Sequence, residues 1–166
     1  MDRVFRFPNP VNEKAARTVA AVVAVLALLA VLTGWLWIAA VLAYGFVART
    51  LAGPTFSPLG RLAQDVVAPR LGPKRPTPGP PKRFAQAIGA GVTTLAAVFA
   101  LALRWDAAAT VLLGILVVFA TLEAALGLCV GCRIFALLMR AGVIPPETCE
   151  ACNDIWSRTP RPAAGP

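Results

Sequence analysis

A chain of 166 residues has room for one domain, and its 58% hydrophobic and only 14% charged content lies far from the roughly 25% charge of soluble domains. The apolar residues run in unbroken blocks rather than the alternating or one-faced patterns of a soluble core, which points to a membrane. The net charge of +8 sits beside hydrophobic segments and in Pro-rich stretches without a nucleic-acid module, so anionic lipid headgroups and not nucleic acid are the expected partner.

The charged start "RFPNPVNEKAAR" leads into a first apolar block, residues 15–33. No small-residue cleavage site ends it and three more such blocks follow, so it reads as a retained helix rather than a signal peptide. A turn around Gly34 separates it from a second block, 35–52. The hydrophilic stretch 53–83 comes next. In "SPLGRLAQDVVAPRL" it places Leu59, Leu62, Val66 and Val67 near one helical face, as in a short interfacial helix. In "GPKRPTPGPPKR" five prolines make an extended linker. Blocks 84–103 and 107–128 flank the turn "RWD". A Cys-rich segment, 129–153, and an expected disordered end, 154–166, complete the chain. Each block has the length of about 20 residues that a transmembrane helix needs. The expected fold is therefore all-α: a polytopic membrane protein with four transmembrane helices in two antiparallel hairpins, a short interfacial helix and a cytoplasmic Cys-rich tail.

Of the 16 Lys and Arg residues, all except Arg104 fall on one side of this arrangement. The positive-inside rule then places both termini and the long loop in the cytoplasm, with Trp35, Trp37 and Trp105 at the opposite interface. At about 1.5 Å per residue, Arg17 and Glu123 lie roughly 25 Å from the outer turns and Arg49 about 22 Å. The three share a depth near the inner edge of a hydrocarbon core about 30 Å thick. An intramembrane carboxylate calls for a partner, so Glu123 is expected to pair with Arg49 or Arg17, although an Arg this near the interface also snorkels to headgroups.

All four cysteines form two CxxC pairs, Cys129 with Cys132 and Cys149 with Cys152, separated by sixteen residues. Cys129 falls about 35 Å from the outer turn, at cytoplasmic headgroup level. Two chemistries suit this pattern. Four thiolates at this spacing hold one zinc ion, or an iron–sulfur cluster, in a reducing compartment. Alternatively, a pair acts as a redox dithiol or sulfur relay. Should a helix restart at Cys129, its dipole and nearby Arg133 would lower that thiol's pKa. The "VIPPE" turn reverses the chain and is expected to carry the second pair back towards the first. Gly127 with Gly131, and Ala87 with Gly91, have the small-xxx-small spacing of close helix packing.

The chain lacks histidine, and no nucleophile elbow, P-loop or dinucleotide fingerprint occurs, so hydrolysis and nucleotide-driven transport are poor expectations. Three stretches, "FPNPVNEKAAR", "ARTLAGPTFSPLGRLA" and "LEAALGLCVGCRIFALLMRAGVIPPETCEAC", resemble a bacterial family of small four-span membrane proteins classed as a domain of unknown function. The resemblance runs from about Phe7 to Asn153. It implies a four-span membrane protein and marks Glu123, Cys129, Cys132, Cys149 and Cys152 as motif positions, without supplying an activity. The leading expectation is a membrane protein that is not a stand-alone enzyme, whose four-cysteine metal site ties the tail to the last span and forms a docking surface for a cytoplasmic protein. The runner-up is a thiol redox or sulfur-transfer partner of a soluble thioredoxin-like protein or sulfurtransferase. A small transporter, suggested by Glu123, ranks third.

Overall fold

The structure is a computed structural model and describes residues 9–145 and 147–149; Cys152 and the expected disordered end lie outside the described residues. A two-residue strand, β1 (Val11–Asn12), leads into helix α1 (Glu13–Thr33). Asn12 starts that helix by accepting the Lys14 N–H on its side-chain oxygen at 3.2 Å, with Glu13 favourably placed in the first turn. Gly34, at φ 73°, ends it in the left-handed conformation that only glycine adopts without strain.

Residues 35–37 form a turn in which the N–H groups of Ile38, Ala39 and Ala40 donate to Trp35, Leu36 and Trp37, each at 3.0 Å. Helix α2 proper is Ile38–Ala52, 15 residues, or about 22 Å, shorter than the 35–52 span expected. The loop then folds against the bundle as α3 (Pro58–Leu62), a π-helical turn (Ala63–Val67) and α4 (Ala68–Arg70). Its packed residues are small, Gly60, Ala63 and Ala68, whereas Leu62 and Val66 are exposed. The segment therefore seats on the bundle through small residues and presents much of its expected apolar face outward.

The linker is not a free tether. Its strand β2 (Pro76–Thr77) pairs antiparallel with β1, Val11 opposite Thr77 and Asn12 opposite Pro76. Helix α5 (Gly79–Ala97) starts five residues before the expected block, because Pro80 and Pro81 occupy the first turn, where no intrahelical N–H is required. A π-helical turn, Val98–Ala102, extends it. Helix α6 (Asp106–Leu126) ends at Gly127, and α7 (Val130–Arg140) follows. Three helical stretches, Glu13–Thr33, Gly79–Ala102 and Asp106–Leu126, are long and apolar enough to cross a membrane, and Ile38–Ala52 is apolar but shorter.

The main interfaces run between the hairpins: α1 packs on α6 and α2 on α5, with lesser contact inside each hairpin. The seams consist mostly of small residues. Ala27, Ala30, Ala39, Ala96 and Ala109 are fully buried, while Val25, Leu32, Val111, Val118 and Leu126 are more than half exposed. Soluble cores bury their large side chains, so this inversion is compatible with a bundle whose helices approach through small residues and whose bulky residues face a lipid bilayer. The described parts of the amino-terminal segment, the loop and α7 gather at one end of the bundle. There, β1 pairs with β2, Asn9 accepts the Gly79 N–H at 3.1 Å, and α7 packs on α5.

Gly89 illustrates how tight the α2–α5 seam is, since a Cβ at that position would overlap the ring of Phe46. Alanine in place of a helical glycine normally gains about 0.5–1 kcal/mol, but overpacking costs about 1–3 kcal/mol. Gly89→Ala is therefore expected to lower the thermal unfolding midpoint in detergent, whereas Gly91→Ala, with nothing within 4 Å, should leave it unchanged or raise it.

Candidate functional site

The chain between α6 and α7 determines how the first thiol pair is presented. Gly127, at φ 69°, turns the backbone out of α6, its N–H returning to Glu123 O at 3.0 Å. The helix then restarts, with Cys129 as the N-cap of α7: its backbone is extended and its Sγ accepts the Cys132 N–H at 3.4 Å. The pair thus sits at a helix start, the arrangement that stabilises a thiolate. Cys129 is buried and Cys132 half-buried, and both are free thiols. The hydrogen bond from the Cys132 thiol is the largest influence holding Cys129 below the usual thiol range; burial opposes it. The same bond, with burial adding to it, pushes Cys132 well above that range. Of the two sulfurs, Cys129 is thus the one favoured as thiolate, while Cys132 keeps its proton.

Close packing fixes α7 in place. Gly131 lies so near Ala85 of α5 that a Cβ would come within 2.6 Å of the Ala85 side chain. The Phe84 and Phe135 rings meet at 5.6 Å between centroids. Of the two small-xxx-small pairs, Gly131 makes a tight contact and Gly127 serves as a helix cap, while Ala87 and Gly91 are exposed and make no such seam.

The charged residues are partnered differently from expectation. Glu123 forms its ion pair with Lys82, in the first turns of α5, and not with Arg49 or Arg17. Arg17 instead caps α6: its Nε and Nη2 donate to Ala124 O at 3.1 and 3.0 Å, and Nη2 to Ala125 O at 2.8 Å. Arg49, buried in α2, donates from Nε to Gln86 Oε1 at 3.0 Å and from Nη1 to Ser57 Oγ at 3.2 Å, and lies over the Phe46 ring at 4.7 Å. Arg133 is exposed; the cation that acts on both thiols is Lys82. Its Pro-rich surroundings hide Lys82 in the sequence. The signal for it is that Lys82, Gly89, Thr93 and Ala96 recur on one face of α5, and all four are buried.

Cys149 packs beside Phe135, with Met139 and Ile144 around them, so the chain does reverse after Gly142, but onto the flank of α7. Cys149 is disulfide-bonded. Among the described residues no three His, Cys, Asp or Glu side chains cluster closely enough to hold a metal ion. Four thiolates around one zinc would require reduction of the Cys149 disulfide and movement of that cysteine toward Cys129. A cavity of about 90 Å³ between α1, α2, α5, α6 and α7 has Cys129, Glu123 and Gln86 in a mostly apolar wall.

No curated protein and no solved structure is found that matches the chain. The family model described as "Domain of unknown function (DUF4395)" matches residues 11–140, which cover the helices and the first thiol pair, and the chain belongs to that family.

Proposed function

We propose that this multi-pass membrane protein works as a membrane-held dithiol, with Cys129 the attacking sulfur and Cys132 the resolving one. The observation that carries this reading is the N-cap position of Cys129, whose Sγ accepts the Cys132 N–H. The partner is a soluble thioredoxin-like protein or sulfurtransferase bearing a disulfide. The Cys129 thiolate attacks that disulfide, forms a mixed disulfide and releases one partner thiolate. Cys132 then gives up its proton and attacks Cys129 Sγ, releasing the second partner thiol. Two electrons pass from the dithiol to the partner disulfide, and the exchange runs equally in reverse. The end of the bundle that holds the thiols carries most of the basic residues, so the positive-inside rule puts this exchange on the cytoplasmic face. We count α2 as the fourth span, lengthened by the 35–37 turn.

Cys132→Ser is expected to accumulate a mixed disulfide with a thioredoxin-like partner, seen as a mass shift on non-reducing gels, while Cys129→Ser accumulates none. The reverse result would assign the attack to Cys132. The cysteine spacing also supports a tetrathiolate zinc or iron–sulfur site. Stoichiometric metal in the purified, unreduced protein, lost in Cys149→Ser, would replace the dithiol reading with that one.

A further inference from the structure

We infer that the bundle holds a binding site for one compact oxyanion of phosphate type, between Arg49 and Lys82. Both cations are about nine-tenths buried, at 6% exposure each. Glu123 is the one carboxylate paired with either of them among the described residues, through Lys82. Lys82 thus has Glu123, and the Cys129 sulfur when it ionises, as negative neighbours, while buried Arg49 has no ion-pair partner among the described residues. Net buried charge without a counter-charge is costly at any depth, and most of all beside lipid.

The hydrogen-bond inventory agrees with the charge count. A guanidinium offers five N–H donors, and Arg49 engages two of its nitrogens, Nε with Gln86 and Nη1 with Ser57. An ammonium offers three, and Lys82 makes one hydrogen bond, to Glu123. No other hydrogen bond to either group forms among the described residues. The two side chains line a shared cavity of about 50 Å³ together with Gln64 and Gln86, and no carboxylate lines it. Liquid water takes about 30 Å³ per molecule, so the space suits a small ion and not an organic cofactor. Two cations with spare donors and two amides match the four oxygens of a phosphate group, which Arg binds with a pair of parallel N–H groups.

The site sits at the end of the bundle where the loop and the first strand meet. A free inorganic anion and the phosphodiester of an anionic lipid bring the same chemistry there. Neither cysteine lines this cavity, so the inference does not rest on the thiol chemistry, although Lys82 is common to both.

The test uses the full chain in two arms. In the first, equilibrium binding of radiolabelled inorganic phosphate is measured in lipid-free neutral detergent. In the second, phosphatidylglycerol retained after extraction from mixed phosphatidylcholine–phosphatidylglycerol vesicles is counted by native mass spectrometry. The discriminating variant is Gln64→Glu, which places a carboxylate in the cavity wall while keeping Arg49 and Lys82; Lys74→Gln, at an exposed loop position, is the control. The expected result is one phosphate group per chain in at least one arm, weakened about tenfold or more by Gln64→Glu and unchanged by Lys74→Gln. Binding in the first arm names a free anion as the ligand; binding in the second arm alone names the lipid headgroup. Absence of stoichiometric binding in both arms, or equal binding by Gln64→Glu, would overturn the inference.

Discussion

Glu123→Gln is expected to destabilise the protein by about 3–5 kcal/mol, the scale observed when one partner of a buried ion pair is removed. Lys82→Met should cost less. The reason lies in what each change leaves behind. Without Glu123, Lys82 and Arg49 remain as two buried cations with no carboxylate between them. Without Lys82, the Glu123 carboxylate still feels the Arg49 charge, so it is not left without a counter-charge. The double replacement Lys82→Met with Glu123→Gln should recover part of the loss, because it removes one charge of each sign. Unfolding midpoints of the four proteins in one detergent give the coupling directly. Equal costs for the two single variants would show that the net buried charge does not govern this region.

The hydropathy of the chain makes the long helices legible, because blocks of Ala, Val and Leu admit few other readings. Their pairing is not legible in the same way. The α1–α6 and α2–α5 seams are built from alanines that also occur on outward faces, so composition does not distinguish packed from lipid-facing positions; Val25 and Val23 differ only in which side of α1 they occupy. Lys82 escapes a reading of the sequence because prolines normally argue against helix, and here two of them form its first turn. The small sheet escapes it because two-residue strands leave no periodicity. At the site, the sequence locates the Cys129–Cys132 pair and states the condition under which it becomes reactive, a helix that restarts at Cys129. The left-handed turn at Gly127 meets that condition. The partner of Glu123 and the placement of Cys149 depend on side-chain depth and on the fold of the return loop, neither of which spacing encodes.

The pH profile of alkylation is the second large expected effect. Cys129 should reach half of its maximal rate with iodoacetamide at a pH below that of an ordinary thiol, and Cys132 at a pH above it. The sign follows from the thiolate being the reacting form: a lowered pKa fills the reactive state at lower pH, and a raised one empties it. Thiolate population rises tenfold for each unit of lowering, but intrinsic nucleophilicity falls with a Brønsted slope of about 0.4–0.5, so the net rate gain below both pKa values is about threefold per unit. Access works in the opposite direction, since Cys129 is the more buried sulfur. Absolute rates therefore mix two effects, whereas the midpoint of the profile depends on ionisation alone. Cys132→Ala removes the largest influence lowering Cys129 and leaves burial, which raises it. The Cys129 midpoint should then move upward, and its rate at neutral pH should drop. A midpoint that stays in place would show that the helix start and Lys82, not the neighbouring thiol, prepare this sulfur for attack.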